Sequence, residues 1–184
     1  MTRPDFQLQY NAADIPRLAA EYMRTQAERD QEMEDAGRRI SNGPVRRRDL
    51  ETIYRWKSAR RIALFRKNTD AQIELAPKEA INGADIKQAV CSLVRLDGVG
   101  VKMASAILTA IDPERYTVLD FRALEALGTR NSDNVDLYVL YVEACRNMAK
   151  KYGVKMRDFD RANWQWSKRK SKLNGNAKNC GSRE

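Results

Sequence analysis

The chain contains 184 residues, three cysteines and no histidine, so its candidate catalytic groups are carboxylates, lysines, tyrosines and cysteines. The absence of histidine excludes Ser-His-Asp and Cys-His nucleophilic sites and every histidine-dependent metal site. Asp120 and Lys102 stand out among the remaining groups because each is placed beside the predicted start of a helix. A carboxylate fixed at such a position can stabilise positive charge that develops in a reaction, and an amine can bind an anion or act as a nucleophile.

Gly98-Val99-Gly100 interrupts two apolar helical segments and is the strongest local motif. Glycine at both ends of this turn predicts left-handed backbone dihedrals and a close approach to a ligand. The first amides of the following helix have no intrahelical partner and lie at the positive end of its dipole, which is typical of a phosphate site. We expect Val99 to point inward and to join the two helices through Leu96 and Ala104.

Two other glycine motifs do not match this segment. A P-loop requires Gly-Lys followed by Ser or Thr, whereas Lys102 stands between Val101 and Met103. A dinucleotide-binding fingerprint requires a preceding strand, whereas the residues before Gly98 have a helical pattern.

The sequence LDGVGVKMA resembles L-P-G-V-G-x-K-x-A, the hairpin of the helix–hairpin–helix/Gly-Pro-Asp superfamily of base-excision DNA glycosylases, with Asp97 at the position of the proline. The family's catalytic lysine matches Lys102, and its catalytic aspartate matches Asp120, 18 positions later, after a Tyr-Thr-Val-Leu run. The resemblance covers about residues 93–128; the flanking helices, with Tyr54 to Arg60 and Trp164 to Trp166, are similar to those of compact bacterial members.

The chain departs from the family pattern at three points. Arg122 stands where the family has a histidine, the carboxy-terminal four-cysteine loop is missing, and the chain is short. The resemblance therefore implies no iron–sulfur cluster, and we expect neither a cofactor nor a metal. The short chain also indicates trimmed lesion-recognition loops, so the substrate base is not inherited from the resemblance.

Asp120 and Lys102 each have a chemical and a purely structural interpretation. Cleavage of an N-glycosidic bond builds positive charge on the sugar, which the Asp120 carboxylate would stabilise, but the same residue suits a plain helix N-cap. Lys102 could attack the anomeric carbon to form a Schiff base and then nick the strand as an abasic-site lyase, or it could grip a phosphate.

Further residues are candidates for contact with DNA. We expect Tyr54 and Trp56 either to stack on an extruded base or to pack in the core. For Lys57, Arg60 and Arg61 the alternative to DNA contact is a solvated helix face. The hairpin residues assigned to DNA contact, with the residue that replaces the family's histidine, are Gly98, Val99, Gly100, Met103, Ser105 and Arg122.

Charge is strongly segregated along the chain, whose formal net charge is +9 and whose pI is about 9.6. Residues 46–67 hold nine basic and two acidic side chains, and residues 161–184 hold seven and one. Such a balance favours an anionic partner, either a nucleic acid or a membrane surface, and the hairpin favours duplex DNA. No apolar run approaches about 18 residues and the amino terminus lacks a secretory pattern, so we expect a cytoplasmic, nucleoid-associated monomer.

Helical patterns predict an all-α, two-lobed fold with one domain over residues 1–172 and a flexible basic tail over 173–184. Cys91 and Cys145 are expected to be buried thiols. The predicted helices cover about residues 15–40, 48–65, 70–76, 85–96, 101–111, 121–128, 133–153 and 157–171, with Asp14, Asp120 and Ser132 as N-caps.

These features together predict a DNA glycosylase that excises a damaged or modified base from a flipped nucleotide. The substrate could belong to DNA repair, or, by analogy with defence-related members of the family that the chain resembles, it could be a hypermodified base of phage DNA, such as glucosylated hydroxymethylcytosine. The alternative is a non-catalytic helix–hairpin–helix module in which Lys102 grips phosphate and Asp120 only caps. A metal-dependent nuclease is the third alternative, and no carboxylate cluster of suitable spacing supports it.

Overall fold

The computed structural model describes residues 4–130 and 132–180, with side chains described as far as residue 173. This part of the chain folds into α-helices joined by short connections and contains no β-strand, which confirms the all-α prediction. The helices are α1 (Ile15–Asn42), α2 (Arg47–Lys57), α3 (Ile62–Phe65), α4 (Asp70–Ile81), α5 (Ile86–Val94), α6 (Val101–Ile111), α7 (Phe121–Ala126), α8 (Val135–Lys151) and α9 (Met156–Cys180).

Helix α1 is the central element, because it packs against α2, α6 and α9. Its apolar positions recur at helical spacing, and Leu18, Met33 and Ile40 are buried. Gly37 lies where α1 crosses α6, and a Cβ atom at this position would overlap the carbonyl oxygen of Ala110. The crossing therefore brings the two backbones into direct contact, which in turn places α6 against the middle of the fold.

The predicted helix over residues 48–65 is broken at Ser58. Helix α2 ends at Lys57, Ser58 is extended with φ −175° and ψ 118°, and a single 3₁₀ turn, Ala59–Arg61, leads into α3. The break lets the backbone of α3 turn toward Gly98, and it leaves Trp56 and Lys57 on the last turn of α2.

Helix α4 differs from the prediction because it continues through Pro77 to Ile81. Pro77 lies on the buried face with Ile73, Ala76 and Ala80, and this face packs against α5. The helix begins with a capping box in which Thr69 and Gln72 satisfy each other's backbone amides. Tertiary packing thus outweighs the helix-breaking tendency of the proline.

Three predictions about helix ends and cysteines are corrected. Asn134, and not Ser132, caps α8 by accepting hydrogen bonds from the amides of Asp136 and Leu137. Asp14 makes no capping hydrogen bond with its side chain at the start of α1. Cys91 is exposed on α5 because the other face of that helix packs inward, whereas Cys145 is buried as predicted.

The last helix is longer than predicted. Helix α9 runs to Cys180, well into the segment 173–184 that the sequence predicts to be a flexible tail. The rest of that prediction, for residues 181–184, lies outside the described residues.

The connection between α5 and α6 has the predicted inward-facing valine but a different distribution of glycine conformations. Val99 is buried together with Leu96 and Ala104. Gly98 has φ +82°, whereas Gly100 is extended with φ −96° and ψ 176°, so the expectation of left-handed dihedrals at both glycines is wrong for Gly100. Gly98 contacts the α3 segment closely, since an added Cβ would lie 2.8 Å from the Phe65 amide nitrogen.

We expect Gly98→Ala to lower the free energy of unfolding by about 3 kcal/mol, because left-handed strain and a backbone clash add together. Gly153→Ala is the matched control: Gly153 has φ +65° but no atom within 4 Å of an added Cβ, so it should cost only about 1 kcal/mol. Urea unfolding of the two variants measures the difference. Equal losses would contradict the close contact between Gly98 and α3.

Candidate active site

Asp120 is held in place by a buried, extended segment that precedes α7. Within residues 116–119 the Tyr138 hydroxyl donates to the carbonyl oxygen of Thr117 and the Tyr141 hydroxyl donates to that of Val118, both at 3.1 Å. These two bonds from α8 explain why the segment stays extended although no strand pairs with it in the described chain. The segment therefore delivers Asp120 to the start of α7 in a fixed orientation.

The two oxygens of Asp120 have separate partners. Oδ1 accepts a hydrogen bond of 2.9 Å from the amide of Ala123, so the predicted N-cap is confirmed. Oδ2 accepts from Nζ of Lys57 at 3.2 Å, and the two side chains are only 19% and 14% exposed. Because Oδ1 caps the helix, Oδ2 is the oxygen that pairs with the Lys57 ammonium group in this half-buried site.

A pocket of about 230 Å³ lies beside this ion pair. Its walls come from α1, the end of α2, the segment before α7, and α9. The side chains that line it include aromatic rings, cations and carboxylates: Tyr22, Gln26, Arg29, Trp56, Lys57, Val118, Asp120, Arg157, Asp160, Arg161 and Trp164.

Asp30 organises the wall of the pocket that α1, α2 and α9 share, and its side chain is completely buried. Oδ1 accepts from the Tyr22 hydroxyl and from the Trp56 indole nitrogen, each at 2.9 Å. Oδ2 accepts from Nη2 of Arg157 at 2.7 Å and from Nε of Arg161 at 3.0 Å. Four donors from three helices therefore converge on one carboxylate.

Asp160 is a second buried carboxylate that lines the pocket. It accepts a hydrogen bond from Nη1 of Arg157. Burial raises the pKa of Asp160 to about 6, against the opposing effects of Arg157 and Lys57 and with a further upward contribution from Asp120. The pocket thus holds two carboxyl groups: Asp120, which is paired with Lys57, and Asp160, whose pKa is raised.

Two tryptophans flank the pocket. The indole of Trp56 is oriented by its hydrogen bond to Asp30, and the guanidinium of Arg157 lies 5.4 Å from its ring centroid. Trp164 packs edge-on against Tyr22, with 5.2 Å between ring centroids, and Arg122 lies 5.4 Å from the Trp164 ring. Their half-buried rings provide flat apolar surface beside the charged groups.

Lys102 lies on the first turn of α6 and is half-buried. It is not among the side chains that line the pocket in the described part of the chain. Ser105 connects this turn to the extended segment 116–119. Its hydroxyl donates to the carbonyl oxygen of Lys102 at 2.8 Å and accepts from the amide of Leu119 at 2.9 Å. The start of α6 and Asp120 are therefore coupled through one buried hydroxyl.

Several residues predicted to contact DNA or a base are placed in the core instead. Val99, Met103 and Ser105 are buried, because they hold α6 against its neighbours, and they are not accessible for DNA contact. Tyr54 has no exposed surface and packs on Phe65 with 4.6 Å between centroids, so the prediction that it stacks on a base is wrong. Of the two aromatic candidates on α2, Trp56 reaches the pocket.

The predicted basic residues divide between surface and pocket. Arg60 and Arg61 are exposed, whereas Lys57 is turned into the pocket toward Asp120 and does not belong to a solvated helix face. Arg122 lies against α9, where Nη1 donates to the hydroxyls of Ser167 and Ser171 at 3.4 Å. Gly98 and Gly100 are half-buried at the turn before α6.

The sequence-based prediction misses the contribution of α1 and α9 to the site. Arg157, Asp160, Arg161 and Trp164 share one face of α9 at helical spacing, so a polar stripe with an aromatic residue was the available signal. For Asp30 the sequence holds no such signal, because it lies in a run of acidic residues that reads as a solvated face.

The described part of the chain is all helical apart from its connections, and its pocket brings together the capping aspartate Asp120, its partner Lys57, the second carboxylate Asp160 and two tryptophan rings. No family model, curated protein or solved structure gave a significant match to the chain. In the residues that the structure describes, none of the helices combines the length and the apolar character needed to span a bilayer.

We expect Asp30→Asn to lower the free energy of unfolding by about 3–5 kcal/mol, because it leaves two guanidinium groups in the interior without this counter-charge. Asp35→Asn is the matched control on the same helix, since Asp35 is 40% exposed and pairs with Arg38 at the surface. Thermal and urea unfolding report both effects. A loss of the same small size in both variants would show that Asp30 is not the centre of the network.

Proposed function

We propose that this protein is a DNA N-glycosylase of the helix–hairpin–helix/Gly-Pro-Asp superfamily, which removes a damaged or modified base from duplex DNA. The observation that carries the proposal is the position of Asp120, whose carboxylate opens onto a pocket flanked by Trp56 and Trp164. An extruded base requires flat surfaces to stack on, and the sugar attached to it requires a fixed negative charge. The pocket supplies both within one small volume.

In this proposal Asp120 stabilises the positive charge that develops on the sugar as the glycosidic bond breaks. Its cap to Ala123 and its contact with Lys57 hold the carboxylate before the substrate arrives, so little reorganisation accompanies the reaction. Lys57 also provides a cation in the wall of the pocket that the nucleotide would occupy. A carboxylate that served only as a cap would need neither the pocket nor the paired lysine.

The turn before α6 provides the DNA-binding part of the proposal. Gly100 is extended, and the nearest atom to an added Cβ is the Asp133 carboxylate oxygen Oδ2 at 3.5 Å, so a phosphate that binds at the start of α6 must displace this side chain. The exposed Arg60 and Arg61 lie on the α3 side of the same turn, since Gly98 contacts this segment. In the proposed two-lobed arrangement these groups hold the backbone while the flipped nucleotide occupies the pocket between the lobes.

A non-catalytic hairpin module remains the competing function, and it shares the phosphate contacts of the turn. It offers no role for two carboxylates that line one pocket, nor for the tryptophans beside them. The two functions differ in whether a base is released, and that difference is directly measurable.

We expect Asp120→Asn to reduce base release at least about 100-fold while DNA affinity changes by no more than a few-fold, because the amide keeps the cap and loses the charge. The substrates are duplexes with damaged bases and phage DNA with glucosylated hydroxymethylcytosine, with released bases detected by mass spectrometry. Asp85→Asn is the matched control, since Asp85 caps α5 at Gln88 in the same way but lies outside the pocket. Full activity of Asp120→Asn would refute the mechanism, and tight binding without base release by the parent protein would favour the module.

A second experiment tests whether the enzyme is also an abasic-site lyase. We expect borohydride to trap the parent protein through an imine that forms on the abasic product after the base has left, and Lys102→Gln to abolish this adduct. Lys57→Gln should keep the yield of adduct per released base, because its ammonium group is engaged by Asp120 and acts through its charge. Loss of the adduct in Lys57→Gln alone would transfer the nucleophile to Lys57, and no adduct in the parent would define a monofunctional hydrolase.

A further inference from the structure

We infer that Asp160 is a second catalytic carboxylate, which donates a proton to the base as it leaves, and that the substrates are consequently bases that are neutral in DNA. This inference rests on the proposed function and specifies its chemistry. A neutral base is a poor leaving group until a ring nitrogen or carbonyl oxygen is protonated, whereas a base that already carries positive charge leaves without a proton.

The geometry places the two carboxylates on different walls of one pocket. Asp120 enters from the start of α7, and Asp160 enters from α9, both among the side chains that line the cavity. Two carboxyl groups on either side of a glycosidic bond are the arrangement that glycoside cleavage uses, one to donate a proton and the other to stabilise the sugar cation. The N-glycosidic bond of a nucleotide makes the same two demands.

Different surroundings give the two groups different roles. Asp120 is half-buried, capped and paired with Lys57. Asp160 is buried, and Arg157 is the cation that hydrogen bonds to it. Asp30, which is equally deep, differs from both because it accepts four hydrogen bonds, two of them from guanidinium groups, and it does not line the pocket.

The charged and titratable groups around Asp160 come from every element packed against it. Asp30 on α1 and Asp120 raise its pKa, while Arg157 on α9 and Lys57 on α2 lower it. On α8 the side chains of Tyr138, Tyr141 and Cys145 are buried, and their own pKa values are raised, so they stay neutral. Burial outweighs the cations, and the pKa of Asp160 is about 6. The protonated form of Asp160 is therefore more populated near neutral pH than that of an ordinary aspartate.

The chemical step balances as follows. The Asp160 carboxyl proton passes to the base, the C1′–N bond breaks, and its electron pair leaves with the base, which departs neutral. Asp160 is then a carboxylate, and the sugar cation is stabilised by Asp120. A water molecule adds to C1′ and gives one proton to Asp120, and exchange with solvent returns both carboxylates to their starting states.

The expected pH dependence follows from the form that reacts. The protonated form of Asp160 is the donor, so its contribution is complete well below pH 6 and is lost as the pH rises through about 6. Release of a neutral base should therefore fall about tenfold for each pH unit above this value. We call this fall in rate above pH 6 the alkaline limb of the pH profile. Release of 7-methylguanine, which is cationic in DNA, should not show it.

The experiment measures single-turnover release from two duplexes between pH 5 and 8: one with the neutral base that the parent releases fastest and one with 7-methylguanine. We expect Asp160→Asn to slow neutral-base release about 100-fold or more at pH 6, to remove its alkaline limb, and to leave 7-methylguanine release within a few-fold. Asp160→Glu, which keeps the acid, should restore the limb. Asp158→Asn is the matched control on α9, because Asp158 is 42% exposed and does not line the pocket.

The outcomes separate the two proposals. An unchanged rate and pH profile in Asp160→Asn would overturn the role of Asp160 while the glycosylase remains, and so would a parent that releases only the cationic base. Equal losses on both duplexes, with no return of the limb in Asp160→Glu, would show that Asp160 is needed for structure alone. A parent that releases no base from any duplex would overturn the proposed function, and the inference with it.

Discussion

The burial of one ionised carboxylate, Asp30, is the constraint on which the site depends. A charge removed from water in this way is stable only when its donors are satisfied, and here the donors come from α1, α2 and α9. Each donor side chain also lines the pocket. The hydrogen bonds that the two Asp30 oxygens need therefore determine where the Trp56 indole and the two arginines lie. The apolar core, with α1 crossing α6 at Gly37, supports this arrangement and does not by itself specify it.

A second wall of the pocket is formed by Asp120, which caps α7, and by the extended segment before it. Asp120 is placed by an extended segment whose carbonyl groups are hydrogen bonded by α8 and whose Leu119 amide is bonded by Ser105. Lys57 joins the two walls, because it follows Trp56 on α2 and reaches Asp120. Asp120 is therefore held by groups that are in place before a substrate binds, which is how preorganised sites avoid reorganisation during a reaction.

Local signals were sufficient to predict that the chain is helical, the bounds of α6 and the capping position of Asp120, because caps, glycines and apolar periodicity act within a few residues. The limits of α6 and the buried Val99 follow from such signals. The break at Ser58 and the passage of α4 through Pro77 depend on contacts with α3, α5 and the turn at Gly98, which no short window contains. The role of Asp30 could not be predicted for the same reason, since its partner Arg157 lies 127 positions away. For Asp160 the polar stripe on α9 was a signal, but its burial near Asp120 and Lys57 depends on distant parts of the chain.

The pairing of α1 with α9 also has a consequence for the order in which the protein acquires its working form. Helix α1 ends at Asn42 and α9 begins at Met156, so the chain between them must be synthesised before the two can meet. A nascent chain that lacks α9 would expose Asp30 without its guanidinium partners and would have an open cleft in place of a pocket. The pocket is therefore incomplete until translation has passed α9, because one of its walls is missing before that point.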